Sequence, residues 1–262
     1  MSQLNKNIQL GCGLIRIGRP WGYKSENIPT NKEIQTFLHD AVNFGIRFFD
    51  TAPAYGTSEK RLGQFLKTVS PDIKKSLIIA TKCGEFWNEK KQTTMVDHSY
   101  DALIQSIDTS LSLLEKIDIL QIHKANPSVL QSKEVQKAME YARSRGIKQL
   151  GASISDLETA KIVSKLNEFS IIQLPYNPER KEMKEALDIL KAHGKYLIIN
   201  RPFNMGGMIY KEHQKKSKQQ LLLEAYTFIL KENFNGIILT GTGNSNHLYE
   251  NITAFNSAKS TL

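Results

Sequence analysis

Short apolar runs alternate along this chain with longer stretches in which apolar residues recur every three or four positions. Short apolar runs between turn residues are typical of buried strands, and the three-to-four spacing is typical of amphipathic helices. The pattern predicts eight strands, centred on Ile8 to Leu10, Ile46 to Phe49, Leu77 to Thr81, Ile117 to Ile122, Gln149 to Ala152, Ile171 to Leu174, Tyr196 to Asn200 and Gly236 to Leu239.

Helical stretches separate the predicted strands. They are Lys32 to Asn43, Glu59 to Lys67, Tyr100 to Leu114, Glu134 to Arg145, Asp156 to Leu166, Lys181 to Ala192 and Lys218 to Lys231, with a final helix from near Asn246. Eight β/α units in about 250 residues are typical of the closed barrel, whereas an open sheet usually stops earlier. No linker or change of composition divides the chain. The predicted fold class is therefore α/β, a (β/α)8 TIM barrel forming a single domain over residues 1–262.

Composition agrees with a globular protein, since 40% of the residues are hydrophobic and 23% are charged. No apolar run approaches the roughly 20 residues that a membrane span needs, and the N-terminal "MSQLNKNIQL" lacks the apolar core of a signal peptide. A cytoplasmic protein with no membrane partner is therefore expected. The two cysteines, Cys12 and Cys83, are too few and too isolated for a disulfide framework or a thiolate metal site. We expect both to be reduced, and no metal site is predicted.

The formal net charge of +9 could attract nucleic acid, a membrane surface or small molecules that carry phosphate. Charge alone does not choose among these partners. The densest basic run, "KEHQKKSKQQ" from Lys211 to Gln220, has no interleaved aromatic residues and precedes a helical pattern. It is interpreted as a solvated loop, and no nucleic-acid partner is predicted.

Polar side chains stand at the ends of three consecutive predicted strands: Asp50 ends the second, Lys82 the third and His123 the fourth. The stretch "DTAPAYGTSEKRLG" continues from Asp50 and places Tyr55 on the loop before a short helix, with Ser58 as the predicted N-cap. In a parallel barrel all strands end at the same mouth, where the loops bind ligands. We therefore expect these groups to meet, although they are far apart in sequence.

The four side chains suit proton transfer to a carbonyl oxygen. An ammonium and a carboxylate at adjacent strand ends can pair, and a nearby ammonium is expected to lower the pKa of a tyrosine from its reference of about 10. Such a tyrosine can act as a general acid near neutral pH. Taken singly, Asp50 could be a turn residue, Tyr55 a loop residue, Lys82 a solvated charge and His123 a hydrogen-bonded core residue. Their position at consecutive strand ends favours the catalytic interpretation.

Later strand ends offer further polar groups that could bind a ligand: a hydroxyl on Ser153, an amide on Gln173 and a guanidinium on Arg201. The last strand runs into a turn with Gly241 and Gly243 before a helix. Free backbone N–H groups at a helix start can bind phosphate. A glycine-rich turn before a helix is also common as plain structure, so this signal is weak by itself.

The sequence resembles the aldo-keto reductase superfamily over nearly its whole length. The motifs that carry the resemblance are "GIRFFDTAPAYGTSEKRLGQFL", "LIIATKCG", "SLSLLEKIDILQIH", "GIKQLGASI", "IIQLPYNP" and "IILTGTGNSNHLYENI". The resemblance implies that Asp50, Tyr55, Lys82 and His123 are the catalytic tetrad. Tyr55 would be the general acid, Lys82 and Asp50 would tune it, and His123 would orient the carbonyl. No metal is needed for this chemistry.

The resemblance also implies a nicotinamide cofactor and a small-molecule carbonyl substrate. Ser153, Gln173 and Arg201 supply what such a cofactor would need. Positions that match the family's adenosine-phosphate site are Gly241, Thr242, Asn244, His247, Glu250 and Asn251. Many members that prefer the 2′-phosphorylated cofactor have Lys and Arg where this chain has Gly241 and His247. We expect NADPH to be favoured over NADH, but modestly. The preference should weaken as the pH rises above the reference pKa of histidine, about 6.5.

Two further positions depart from the family's pattern. After Ser153 the family often has an Asn that binds the carboxamide, and this chain has Ile154. Where many members place an aromatic ring against the nicotinamide, this chain has Arg201, whose guanidinium plane could stack there instead.

Two other classes of function remain open at this point. A cofactor-binding regulatory or scaffold protein with little turnover could use the same barrel, although the intact tetrad argues against it. A phosphate-sugar isomerase or an aldolase would need its own base or a Schiff-base lysine, for which Lys82 is the candidate. The pattern predicts no oligomeric state.

Overall fold

Eight parallel strands close into a barrel in the computed structural model, which describes residues 7–23, 27–212 and 215–262. Within these residues the strands are β1 (Gln9–Gly13), β2 (Phe48–Asp50), β3 (Ile78–Cys83), β4 (Glu85–Asn88), β5 (Thr93–Val96), β6 (Ile119–Ile122), β7 (Gln149–Ser153), β8 (Ile171–Pro175), β9 (Tyr196–Asn200) and β10 (Gly236–Thr240). The barrel order is β1-β10-β9-β8-β7-β6-β3-β2, and β4 and β5 form a separate hairpin. The (β/α)8 prediction is confirmed. The first six residues and residues 213 and 214 of the basic run lie outside the described residues.

Helices connect the strands. In the described part of the chain they are α1 (Ile15–Gly18), α2 (Asn31–Asn43), α3 (Ser58–Leu66), α4 (Pro71–Ser76), α5 (Tyr100–Leu114), α6 (Pro127–Leu130), α7 (Lys133–Ser144), α8 (Leu157–Val163), α9 (Lys184–Ala192), α10 (Gly207–Glu212), α11 (Lys218–Leu230) and α12 (Ser245–Ser260). None of these helices has both the length and the apolar character needed to cross a membrane. The long helices match the predicted stretches, whereas the short α1, α4, α6 and α10 carry too few turns for a periodic signal.

Helix starts follow local side-chain chemistry, with one prediction wrong. Asp156 caps α8 by accepting a hydrogen bond from the Thr159 backbone N–H at 2.8 Å. Ser58, however, is the first residue of α3 rather than its N-cap, which is Thr57. The Ser58 hydroxyl is buried and donates to the Leu14 carbonyl at 3.0 Å. It therefore ties the start of α3 to the segment that follows β1.

Alternation along the strands places two layers inside the barrel. Successive strand residues point to opposite faces, so residues two apart share a face. The lower layer is an apolar cluster of Phe48, Ile78, Ala80, Ile119, Ile171, Ile198, Ile237 and Leu239. Two residues further on, the same faces of β2, β3, β6 and β8 carry Asp50, Lys82, Gln121 and Gln173. The barrel interior is thus apolar below and polar at its mouth.

Both cysteines are free and buried in the core. Burial, with a further contribution from the nearby Glu59, raises the pKa of the Cys83 thiol to about 12. Cys83 therefore stays a neutral, packed thiol, which fits the expectation of a reduced residue.

The β4–β5 hairpin after β3 was not predicted. Its strands pair antiparallel, with Glu85 opposite Val96 and Trp87 opposite Thr94. The intervening "EKKQ" is polar and each flanking strand has only four residues, so periodicity gives little signal there. The hairpin brings Glu85 to the barrel mouth.

Replacing Gly63 by alanine should destabilise the fold. A Cβ on Gly63 in α3 would lie 1.9 Å from the Leu113 carbonyl oxygen of α5, and this backbone atom has little room to move. We expect a loss of about 1–3 kcal/mol in the free energy of unfolding, measured by urea denaturation. Gly207→Ala is the matched control, because Gly207 has helical φ and no atom within 4 Å of an added Cβ. Equal stability of the two variants would contradict this close α3–α5 contact.

Candidate active site

A buried ion pair joins β2 and β3 at the mouth. The Lys82 ammonium lies 2.6 Å from Asp50 Oδ2 and 2.8 Å from Asp50 Oδ1, and it also donates to the Thr51 carbonyl at 3.0 Å. Each side chain is 1% exposed. These contacts fix the ammonium in position, and its hydrogen bond with the Tyr55 side chain affects the pKa values of both groups.

Neighbouring strands complete the surroundings of Asp50. Gln121 on β6 donates to Asp50 Oδ1 at 3.1 Å, and Gln173 on β8 donates to Asp50 Oδ2 at 3.5 Å. The carboxylate therefore accepts hydrogen bonds from both amides as well as from Lys82. Four barrel strands must keep their register for this network to form.

Tyr55 lies above the ion pair, at the end of a single 3-10 turn, Pro53–Tyr55. Gly56 follows with a φ of 62°, a conformation that favours glycine. The chain at Gly18 packs so closely on this turn that a Cβ added to Gly18 would lie 1.8 Å from the Tyr55 carbonyl oxygen.

The Tyr55 ring lies near two of the other predicted catalytic residues. Lys82 Nζ is 4.8 Å from the centroid of the Tyr55 ring. The His123 ring centroid is 5.9 Å away, with the two rings nearly perpendicular. The four residues predicted from the strand ends are thus brought together.

The direction of the Tyr55 pKa shift differs from the sequence-based expectation. Burial raises the pKa of Tyr55 above its ordinary value of 10.0. Lys82 lowers it, as expected, but burial outweighs Lys82, and the charges of Asp50 and Glu85 also act to raise it. The phenol is therefore protonated at neutral pH, which is the form that a proton donor needs.

Glu85, in the unpredicted hairpin, lies against His123. The Glu85 Oε2 atom is 2.9 Å from His123 Nδ1, and Lys124 Nζ is 3.9 Å from the other carboxylate oxygen. Burial would raise the pKa of Glu85, but His123, Thr94 and Lys124 together lower it to about 2. Glu85 is consequently ionised at neutral pH. Its position after Lys82 in "TKCGE" gave no signal of this contact.

His123 is neutral in this environment. Burial lowers its pKa from the ordinary value of 6.5; Glu85 opposes the shift and Lys82 adds to it. Its backbone is also fixed, since the carbonyl oxygen of His123 lies 2.8 Å from His98 Nε2. The ring can therefore act as a neutral hydrogen-bonding group beside Tyr55.

A cavity of about 1250 Å³ opens above these residues. Every predicted site residue lines it except Lys82, which lies beneath, and Glu250. Ser153 at the end of β7, Gln173 within β8 and Arg201 directly after β9 line it as well. The Gln173 Oε1 and Asn200 Oδ1 atoms are buried there without a hydrogen-bond partner among the described residues. Asn200 was not singled out from the sequence.

The predicted phosphate site lies at the far end of the cavity, where β10 runs into α12. Gly241 and Thr242 form the turn, and the Asn244 side chain caps α12 by accepting from the His247 backbone N–H at 3.0 Å. Gly241 has open space where a Cβ would be. Asn251 is buried, and its side chain accepts from the Tyr226 hydroxyl at 2.7 Å. Its amide also donates to the His247 carbonyl at 2.6 Å. The Asn251 side chain is therefore already hydrogen-bonded within the protein.

Two cations that sequence reasoning missed lie beside His247. Burial lowers the pKa of His247, and the charges of Lys218 and Arg16 lower it further, while Glu250 opposes them. Lys218 forms an ion pair with Glu250. Lys218 was assigned to a helix and Arg16 to no element, so only the folded chain brings them to this end of the cavity.

Residues 9–223 match the profile of the Aldo/keto reductase family. The aldo-keto reductase YhdN of Bacillus subtilis (strain 168) is 31% identical over 188 residues, which are 68% of this chain and 53% of YhdN. L-galactose dehydrogenase of Arabidopsis thaliana is 27% identical over 209 residues, 75% of this chain and 62% of that protein. The chain thus spans between half and two thirds of the length of these relatives. The holo form of an aldo-keto reductase from Bacillus halodurans has the same fold, with a TM-score of 0.76 at 19% identity over 94% of this chain and 85% of that one.

The pKa of His123 should fall further in a Glu85→Gln variant. The Glu85 carboxylate opposes the lowering caused by burial, and the amide removes that opposition. Titration of the His123 imidazole C–H resonances by NMR should give a pKa below 6.5 in the wild type and a lower one in the variant. Glu224→Gln, which removes a carboxylate paired with Lys216 on α11, is the control. An unchanged His123 pKa in Glu85→Gln would show that the two groups do not interact in solution.

Proposed function

The chain belongs to the aldo/keto reductase family, and we propose that it reduces an aldehyde or ketone to an alcohol with a nicotinamide cofactor, Tyr55 being the general acid. The observation that carries the proposal is the position of the Tyr55 ring, 4.8 Å from the Lys82 ammonium at the floor of the cavity. The relatives that the chain matches are reductases and dehydrogenases, which supports an oxidoreductase of carbonyl compounds. A bound reduced nicotinamide would supply the hydride.

Tyr55 would donate its phenolic proton to the carbonyl oxygen of the substrate. Its raised pKa keeps the proton in place until oxygen becomes basic in the transition state. The Lys82 ammonium then stabilises the phenolate that forms, because it lies next to the ring. The ion pair with Asp50 keeps Lys82 in this position. His123, neutral and beside Tyr55, would orient the carbonyl oxygen.

The state of Lys82 supports a reductase over a Schiff-base aldolase. Burial alone would lower the pKa of Lys82, but the charge of Asp50 and the interactions with Asp50 and Tyr55 more than offset burial and raise it. A Schiff-base lysine must be a neutral amine when it attacks a carbonyl. Lys82 is a paired ammonium beneath the cavity, so tuning Tyr55 is the role that its geometry favours.

The residues present fit a nicotinamide cofactor. The unpartnered Oε1 of Gln173 and Oδ1 of Asn200 are acceptors for a carboxamide N–H, and the Ser153 hydroxyl lies at the same part of the cavity. Asn200 thereby offers the side-chain amide that Ile154, the residue after Ser153, cannot provide. Arg201 would lie against the nicotinamide ring. The α12 N-terminus, with Gly241, Thr242 and Asn244, would hold phosphate. Glu250 and Asn251 would act indirectly, Glu250 by pairing with Lys218 and Asn251 by holding the His247 carbonyl.

Basic residues favour NADPH at the phosphate end. Lys218 and Arg16 lie beside His247 as cations, whereas burial and these two cations lower the pKa of His247. The 2′-phosphate would be bound mainly by the two cations. In this proposal, the preference for NADPH over NADH depends on Lys218 and Arg16 as well as on His247, which was the residue expected from the sequence.

Purified protein should oxidise NADPH when it is supplied with reactive aldehydes, and Tyr55→Phe should lower kcat by about 10²- to 10⁴-fold, the usual contribution of a general acid. The change in NADPH absorbance measures both, and fluorescence titration should give similar cofactor affinities. Tyr141→Phe is the control, because this tyrosine donates to Asp108 on the outer surface. Full activity in Tyr55→Phe would exclude Tyr55 as the acid. Tight cofactor binding without any turnover in the wild type would indicate a regulatory protein.

Lys218→Met should weaken the preference for NADPH over NADH by about tenfold, since a hydrogen bond to a charged group contributes about 1.5 kcal/mol or more. Dissociation constants for both cofactors, measured by fluorescence titration, test this. The wild-type preference should stay nearly constant from pH 7 to 9 and rise at acidic pH as His247 gains a proton. Lys216→Met is the control, because Lys216 pairs with Glu224 away from the cavity. A preference that disappears between pH 7 and 9 would assign the 2′-phosphate to His247 instead.

A further inference from the structure

Arg19 is a fixed cation on the wall of the cavity, on the substrate side. Its guanidinium carbon lies 4.5 Å from the ring centroid of Trp87 and 4.9 Å from that of Trp21. Its Nε donates to the Ala54 carbonyl at 2.9 Å, directly before Tyr55 in the chain. The aromatic contacts and this hydrogen bond fix the side chain without neutralising its charge.

The charge of Arg19 has no ionic partner in the described part of the chain. The charge of Glu85 raises the pKa of Arg19, but Glu85 forms no ion pair with it; one Glu85 oxygen lies 2.9 Å from His123 and the other 3.9 Å from Lys124. The Nη groups of Arg19 donate to no acceptor among the described residues, and only Nε does. Arg19 is partly buried, and a partly desolvated guanidinium with free N–H groups is unfavourable until an anion binds.

The surrounding charges act in the same direction. Arg201 and Lys124 line the same cavity, and the Arg201 guanidinium lies 5.9 Å from the Trp21 ring centroid. Asp50 is neutralised by Lys82, which leaves Glu85 to face these three cations. Charges that line a cleft of low dielectric focus their field inside it. The region beside Tyr55 therefore favours a negative ligand.

We propose that the substrate is a carbonyl compound that carries a carboxylate or a phosphate monoester, and that Arg19 binds this anionic group through its Nη edge. The inference rests on the proposed function. The fork of N–H donors on a guanidinium matches the paired oxygens of either anion. Trp21 and Trp87 hold the fork in place, so little side-chain entropy is lost on binding. The anion would place the substrate carbonyl at Tyr55.

The experiment compares anionic substrates with matched neutral ones. The carboxylate arm uses 4-carboxybenzaldehyde and its methyl ester, and the phosphate arm uses glyceraldehyde 3-phosphate and glyceraldehyde. We expect kcat/KM in the wild type to favour at least one anion by tenfold or more, mainly through KM. The arm with the larger ratio identifies the kind of anion.

Variants assign the preference to Arg19. Arg19→Gln should reduce the anionic-to-neutral ratio by about 10- to 100-fold, the size expected for hydrogen bonds to a charged group. Arg19→Lys keeps the charge but loses the fork, so its ratio should be intermediate, and this variant serves if Arg19→Gln folds poorly. Arg145→Gln is the control, since Arg145 pairs with Asp108 and does not line the cavity. It should keep the wild-type ratio.

The outcomes separate this inference from the proposed function. Equal reduction of anionic and neutral aldehydes by the wild type would overturn the inference and leave the reductase intact. An anion preference that survives in Arg19→Gln would overturn the assignment to Arg19. Absence of turnover with every aldehyde would contradict the proposed function itself.

Discussion

The Lys82–Asp50 ion pair is the interaction on which the site depends. Removing two charges from water costs several kcal/mol for each ion, and only close contact with further hydrogen bonds offsets that cost. Here Thr51 O, Gln121 and Gln173 supply those bonds, at distances between 3.0 and 3.5 Å. Because these groups come from different barrel strands, a slip of one strand by one residue would leave a buried charge uncompensated. The same hydrogen bonds thus constrain both the register of the barrel strands and the arrangement of the polar groups at its mouth.

The fold was predictable because its signal repeats. Each apolar run becomes a strand buried on both faces, and the parallel arrangement sends all strand ends to one mouth, so Asp50, Lys82 and His123 could be grouped without a structure. Glu85 and Arg19 could not be grouped in this way. One lies in a hairpin of two short strands and the other follows a helix of one turn, so their contacts are set by tertiary packing alone.

The direction of the Tyr55 pKa shows a second limit of sequence reasoning. The sequence indicated which charge lies near the phenol, and Lys82 does lower its pKa. The larger contribution is burial, which depends on the surrounding loops and not on strand order. The same holds for His247, whose neighbours Lys218 and Arg16 come from other parts of the chain. In both cases the sequence predicted the residue, and the fold determined its protonation.

The positively charged residues that line the cavity act more specifically than the net charge of the chain. A net charge of +9 spread over the surface attracts anions of many kinds, and salt screens it beyond about 8 Å. Lys218, Arg16 and Arg19 are different, because they line a concave site where screening is weaker. Lys218 is paired with Glu250, whereas Arg19 has no ionic partner in the described residues. An anion at Arg19 would therefore gain more from charge pairing than an anion at Lys218, whose charge Glu250 already pairs.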